Sequence, residues 1–135
     1  MKQTFALLLM LTLMISCKKD KDEDKSSSPY EQLVEGTWYL QTTDGVELSV
    51  CEKQSSVKFK TDGSVLSKVY MEGDGSCGDP NFTIDGLYTV DGNNIEINLG
   101  LGTSTGTFNI SNGILTTRLT SSGVTTVDTY DRNPG

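Results

Sequence analysis

Residues 81–100 read NFTIDGLYTVDGNNIEINLG. Phe82, Ile84, Tyr88 and Val90 alternate with polar neighbours, and after Asp91-Gly92-Asn93 the alternation resumes at Ile95, Ile97 and Leu99. Period-two patterning in β-branched and aromatic residues predicts strands with one buried face. An Asp-Gly pair tolerates the positive φ that a tight hairpin needs to match the twist of its strands. The stretch is therefore an antiparallel hairpin.

The same grammar extends in both directions. Asp-Gly or Asn-Gly pairs begin at Asp44, Asp62, Asp74, Asp85, Asp91 and Asn112. With these as punctuation, strands are predicted near 37–43, 56–61, 64–71, 81–90, 94–99, 104–110, 114–120 and 124–131, and all neighbours are close enough to pair antiparallel. The expected inward residues are Trp38 and Leu40; Val57 and Phe59; Val69 and Met71; Phe82, Ile84, Tyr88 and Val90; Ile95, Ile97 and Leu99; Phe108 and Ile110; Leu115 and Leu119. In the last strand the parity stays open, because Thr125, Val127 and Thr129 alternate with Val124, Thr126 and Tyr130. Eight meandering strands suit a closed up-and-down barrel, which leaves no exposed sheet edge. Ahead of them, Ser28, Pro29 and Glu31 form a capping-box pattern and Gly36 ends the run, so a short helical turn should precede the barrel.

Connection lengths orient this sheet. The turns at 62–63, 91–93 and 111–113 are tight and lie at one end, whereas the long connections 44–55 and 72–80 both lie at the other. Cys51 and Cys77 fall in those two long loops. An even pair in an exported protein reads as a disulfide, with a pair of reactive thiols as the alternative. Closing a loop of about 27 residues stabilises by roughly 3 to 4 kcal/mol in the chain-entropy model.

The chain of 135 residues is one domain's worth. It contains no His, which excludes a Ser-His-Asp triad and an imidazole zinc site. With 11 Lys and Arg against 18 Asp and Glu its formal charge is -7, which argues against nucleic acid as a partner. No phosphate loop or recognisable nucleophile site is present, and no cofactor is implied. Glu96 and Asp128 are expected to face solvent rather than to act as a hydrolytic pair. Glu72, Asp74 and Asp79 share a Gly-rich loop where calcium is conceivable, but EF-hand spacing is absent and a solvated acidic loop is the favoured reading. No metal site and no enzyme are expected.

At the amino terminus Lys2 precedes Phe5 to Ile15, eleven residues without charge and with Thr12 as their one polar member. A span needs about 20 apolar residues, so this run is a signal-peptide h-region rather than a permanent anchor. Met14-Ile15-Ser16-Cys17 follows and resembles the lipobox of bacterial lipoproteins, in which cleavage leaves a lipidated Cys at the mature terminus. That resemblance implies a signal over 1–16 and a lipid on Cys17; ordinary secretory cleavage is the alternative. Residues 18–25, KKDKDEDK, and Ser26 to Ser28 form a solvated tether, so that 17–29 is anchor and spacer and 30–135 the folded domain. The charged stretch also resembles the export signal of Bacteroides- and Flavobacterium-type surface lipoproteins.

Gly36-Thr37-Trp38 at the start of the first strand resembles the Gly-x-Trp signature of lipocalins. The segment 86–90, then Ile95 to Ile97, and the ending Tyr130-Asp131-Arg132 look like the short lipocalin-like lipoproteins of Bacteroidota. The resemblance implies an eight-stranded lipocalin-like barrel in which Gly36, Trp38 and Arg132 close the narrow end. It also implies a small hydrophobic ligand. A barrel of this size is either filled by side chains or holds one small molecule. Leu40, Met71, Phe82, Leu99 and Leu119 are the candidate ligand-contacting mouth.

Two readings follow. One is an outer-membrane lipoprotein of the cell envelope, facing periplasm or surface, that holds a small apolar ligand. The other is a structural or interaction module whose long loops, or whose Thr-rich face at Thr116, Thr125 and Thr129, contact another envelope protein. A Cys17→Ala variant should leave the membrane fraction and appear soluble after cell fractionation; retention in the membrane would reject lipidation at Cys17.

Overall fold

Ser28 opens the first element. Its hydroxyl accepts the Glu31 amide at 3.2 Å while the Glu31 carboxylate accepts the Ser28 amide at 2.8 Å, a reciprocal cap on helix α1 (Pro29–Val34). The computed structural model describes residues 26–73 and 77–135. The expected signal peptide, Cys17, the charged run 18–25 and Asp74 lie outside them.

Nine strands follow: β1 (Trp38–Thr43), β2 (Val46–Glu47), β3 (Ser56–Phe59), β4 (Ser64–Val69), β5 (Phe82–Asp91), β6 (Asn94–Asn98), β7 (Thr103–Ser111), β8 (Ile114–Ser121) and β9 (Val124–Asp131). Eight of them form an antiparallel meander that closes when β9 pairs with β1, through Tyr39 with Asp131, Leu40 with Tyr130, Thr42 with Thr129 and Thr43 with Asp128. The predicted all-β barrel is therefore present, with one strand more than expected. Residues 44–55 are not one loop. Asp44 (φ 50°) and Gly45 (φ 78°) make a two-residue turn, and β2 folds back on β1 as a short flap. Three strands, β3, β4 and β6, also end earlier than the alternation predicts. The Tyr70 amide donates to the Ser55 hydroxyl and the Met71 amide to Asn81 Oδ1, so side chains take over where the β4 ladder stops.

The narrow end is sealed by packing around Trp38. The indole is fully buried, donates its N–H to the Leu33 carbonyl at 2.9 Å, and lies under Arg132, whose guanidinium carbon sits 3.5 Å from the ring centroid. Arg132 also donates from Nη2 to the Gln32 carbonyl at 2.6 Å. A desolvated cation-π contact of this kind contributes about 0.5 to 2 kcal/mol. Gly36, at φ 94°, makes the bend from α1 into β1 and lies beside the guanidinium. Above this plug Phe59 and Tyr88 meet edge to face with centroids 5.0 Å apart. Phe108, Val65 and Leu115 complete the buried base.

The wide end carries the long connections. Cys51 and Cys77 are bonded there with Cα atoms 5.0 Å apart, tying the loop before β3 to the loop before β5. Cross-strand register settles the parity of β9: Leu115 faces Tyr130, Thr117 faces Asp128 and Leu119 faces Thr126, so the even-numbered residues point inward. Asp128 is thus an interior residue, about half buried, and not the solvent-facing carboxylate that its charge predicted. Glu96 is exposed.

Two inward positions, Gly86 on β5 and Gly106 on β7, carry no side chain because neighbouring backbone occupies the space. A β-carbon on Gly106 would run into the Arg118 carbonyl oxygen, and one on Gly86 into the Asn98 carbonyl oxygen. Gly106→Ala should therefore force β7 from β8 and cost about 1 to 3 kcal/mol in a denaturant titration. Unchanged stability would show that the two strands are not held that close.

Candidate functional site

The interior divides into a filled base and an incompletely filled upper part. Towards the wide end a cavity of about 170 Å³ is lined by Leu40 on β1, Ser56 and Val57 on β3, Ser67, Lys68 and Val69 on β4, and Tyr130 on β9, with Ser55 at its edge. It lies where β1 and β3 share only two paired positions, Trp38 with Val57 and Tyr39 with Ser56, before the chain leaves the ladder. Ser55 is buried and already satisfied, since its hydroxyl donates to the Tyr70 carbonyl at 3.2 Å and accepts the Tyr70 amide at 2.8 Å. Leu40, Val57 and Val69 give it an apolar side, while Ser56, Ser67 and Lys68 border it with polar groups. Two wider depressions, of about 410 and 420 Å³, lie on the outside, one across the polar outer face of β5 to β7 and one beside the Asp62-Gly63 turn.

Beside the cavity the wall is polar. Thr43, Thr117, Asp128 and Tyr130 point inward from β1, β8 and β9. The Thr43 hydroxyl donates to Asp128 Oδ1 at 2.8 Å. Burial is the main cause that pushes the Asp128 carboxyl above its ordinary range; the nearby Asp44 charge adds to the rise, while the hydroxyls of Thr43 and Tyr130 oppose it. The Tyr130 phenol is raised as well, first by burial and then by the Asp128 charge. Thr117, 2% exposed, keeps a buried hydroxyl that makes no hydrogen bond of ordinary geometry, although it stands next to the Tyr130 phenol.

The five predicted mouth residues are not gathered into one site. Leu40 lines the cavity, while Leu99, just past the end of β6, and Leu119 on β8 pack on the core. Met71 and Phe82 stand on the rim, 49% and 52% exposed. Val46, Val50, Leu101 and Val124 are also exposed on connections or strand ends at that rim, giving the mouth an apolar border. Glu72 and Asp79 are exposed nearby, and among the described residues no three acidic or Cys side chains are grouped to hold a metal ion. Thr116 and Thr129 face each other on the outer wall, where Thr129 bonds Thr42 at 2.6 Å, and Thr125 bonds Thr120 at 2.7 Å. The sequence reading missed Asp128, Thr43 and Thr117 as interior groups. Tyr130 paired with Leu115 would have revealed them, had the register of β8 and β9 been known.

Residues 34–133 match the lipocalin-like domain family. No curated protein matches the chain. Among solved structures, a DUF4847 family protein from Bacteroides vulgatus is similar at 14% identity, over 76% of this chain and 96% of that one, with a TM-score of 0.53. At that identity the likeness is one of fold. The fluorescent protein UnaG is also similar. Its point mutant is 16% identical over 78% of this chain and 99% of that one with a TM-score of 0.43, and its wild type 16% identical over 73% and 96% with 0.40.

A carboxyl whose pKa is raised on folding favours the folded state fully only below its unfolded value, about 3.9, and that contribution is lost as the pH climbs through the folded value. Asp128→Asn keeps an oxygen for the Thr43 hydroxyl and removes the buried charge. The variant should melt close to the wild type near pH 3.5 and above it at pH 7. A difference that does not grow with pH would show that Asp128 is not desolvated in the folded protein.

Proposed function

Because the chain belongs to the family of lipocalin-like domains, we propose that it is a binding protein of the bacterial cell envelope, anchored by lipid on Cys17, that holds a small hydrophobic molecule in its barrel and catalyses no reaction. One observation carries the reading: the closed barrel has a partly open cavity of about 170 Å³ with Leu40, Val57 and Val69 on its walls, near an apolar rim. Typical ligand sites start at roughly 300 Å³. The ligand is accordingly small, or only its apolar part is enclosed. The lipobox-like 14–17 segment and the charged spacer support an outer-membrane lipoprotein facing periplasm or surface. Helix α1 joins the barrel at its closed end, opposite the mouth.

The exposed rim side chains favour a second reading, in which the mouth docks on another envelope protein; Leu101 is 93% exposed and Val50 68%. Native mass spectrometry of the protein from its source envelope separates the two. The ligand reading expects a co-travelling small organic mass that disappears in a Leu40→Trp variant, where the indole occupies the cavity. A bare chain, or one accompanied only by a protein partner, would overturn it in favour of the docking module.

A further inference from the structure

A cavity lined by Leu40, Val57 and Val69 would accept any small apolar body, but the polar wall beside it would not accept any head group. Asp128 is the decisive residue. It lies two residues along β9 from the cavity wall at Tyr130, a rise of about 7 Å, and points inward beside Thr43 and Thr117. Its neighbours supply hydroxyls and a second acid, Asp44, but no cation. Among the described residues the ion pair formed joins Lys53 to Glu47, on the flap. Arg132 is engaged with Trp38 and Gln32 at the opposite end, and Arg118 is exposed on the outer face of β8. A carboxylate withdrawn from water without a cation is costly to the fold.

The groups around it are rich in acceptors. Thr43 is committed to Oδ1 of Asp128; the Thr117 hydroxyl on the neighbouring strand is buried and makes no hydrogen bond of ordinary geometry, and the Tyr130 phenol stands between the two. An ammonium offers three donors and a positive charge, and it matches this set; a hydroxyl offers one donor, and a carboxylate would meet like charge. The formal charge of -7 also draws cations towards the protein.

We propose that the barrel selects small amphipathic amines, with the hydrocarbon part in the cavity beside Leu40 and Val57 and the ammonium held by the Asp128 carboxylate and the Thr117 hydroxyl. The assignment rests on the barrel being a ligand site, as argued above, and specifies what that ligand carries.

Calorimetric titration of the full chain at pH 7 with hexylamine, hexanol and hexanoate tests it, since the three share one hydrocarbon body. Hexylamine should bind at least ~10-fold more tightly than hexanol, as a charge-assisted hydrogen bond warrants, and hexanoate should bind most weakly. Asp128→Asn should remove the preference for the amine while leaving hexanol within about threefold. Thr117→Val, which retains shape and removes one acceptor, should weaken the amine more than the alcohol and reads the same question if the Asn variant is unstable. Equal binding of the three probes, or an amine preference that survives both substitutions, overturns the amine assignment and leaves ligand binding intact. Absence of binding by all three overturns both.

Discussion

The pairing of β1 with β9 is the constraint on which the rest depends. An antiparallel meander has two free edges, each a row of unpaired amides and carbonyls, and joining them both satisfies those groups and creates an inside. The joint is not uniform. Its register shifts between Leu40 and Thr42, so that Gln41 is accommodated as a bulge, and the Gln41 side chain reaches the Asn133 carbonyl at 3.2 Å. At the wide end Asp44 completes the seam, its amide donating to the Val127 carbonyl at 2.7 Å and its carboxylate accepting the Val127 amide at 2.8 Å. The seam also brings Leu40 against Tyr130 and Thr43 against Asp128, so closure assembles the apolar and the polar sides of the interior in one step.

Closure alone would have produced a filled barrel. The large aromatic side chains are concentrated at the narrow end, where Trp38, Phe59, Tyr88 and Phe108 are all buried, each burial contributing about 1.5 to 3 kcal/mol. Higher up, Ser67, Val69, Gly86, Gly106 and Thr117 are small inward positions set among the larger Ile84, Ile97 and Leu119. The two glycines let strands approach closely, which draws β5 to β8 together on one side, and the space that remains lies against β1, β3 and β4 on the other. Stability and vacancy are thus assigned to opposite ends of one sheet.

Much of the fold was legible because its signals are local. Alternation around Ile95 and Ile97, the Asp-Gly turns, the Ser28 to Glu31 cap and the two Cys in loops at one end each follow from a few neighbouring residues, and the barrel follows from their order. The parity of β9 was not legible, since Thr and Val stand on both of its faces and only the pairing of Leu115 with Tyr130 separates them. Flap β2 was hidden for a different reason: two residues, Val46 and Glu47, are too short a run for periodicity to register. The candidate site suffered most. An Asp in an amphipathic strand is expected to face water, and nothing near Asp128 in the chain announces that Thr43, 85 residues earlier, will donate to it.

The inward placement of Asp128 bears on function. Local sequence rules fail where a residue is placed against its own preference, and such positions persist when something other than folding retains them. Asp128 is a partly buried carboxyl with no cation beside it, and Thr117 on the next strand has a buried hydroxyl that makes no hydrogen bond of ordinary geometry. Either alone would be a minor imperfection. Together, on adjacent strands and near the cavity beside Leu40 and Val57, they form an acceptor surface whose missing element is a donor of positive charge. On the amine reading, the apolar rim formed by Val46, Phe82 and Leu101 is the approach for the hydrocarbon part of such a donor, and a carboxyl set against its own burial is what would give the barrel its selectivity.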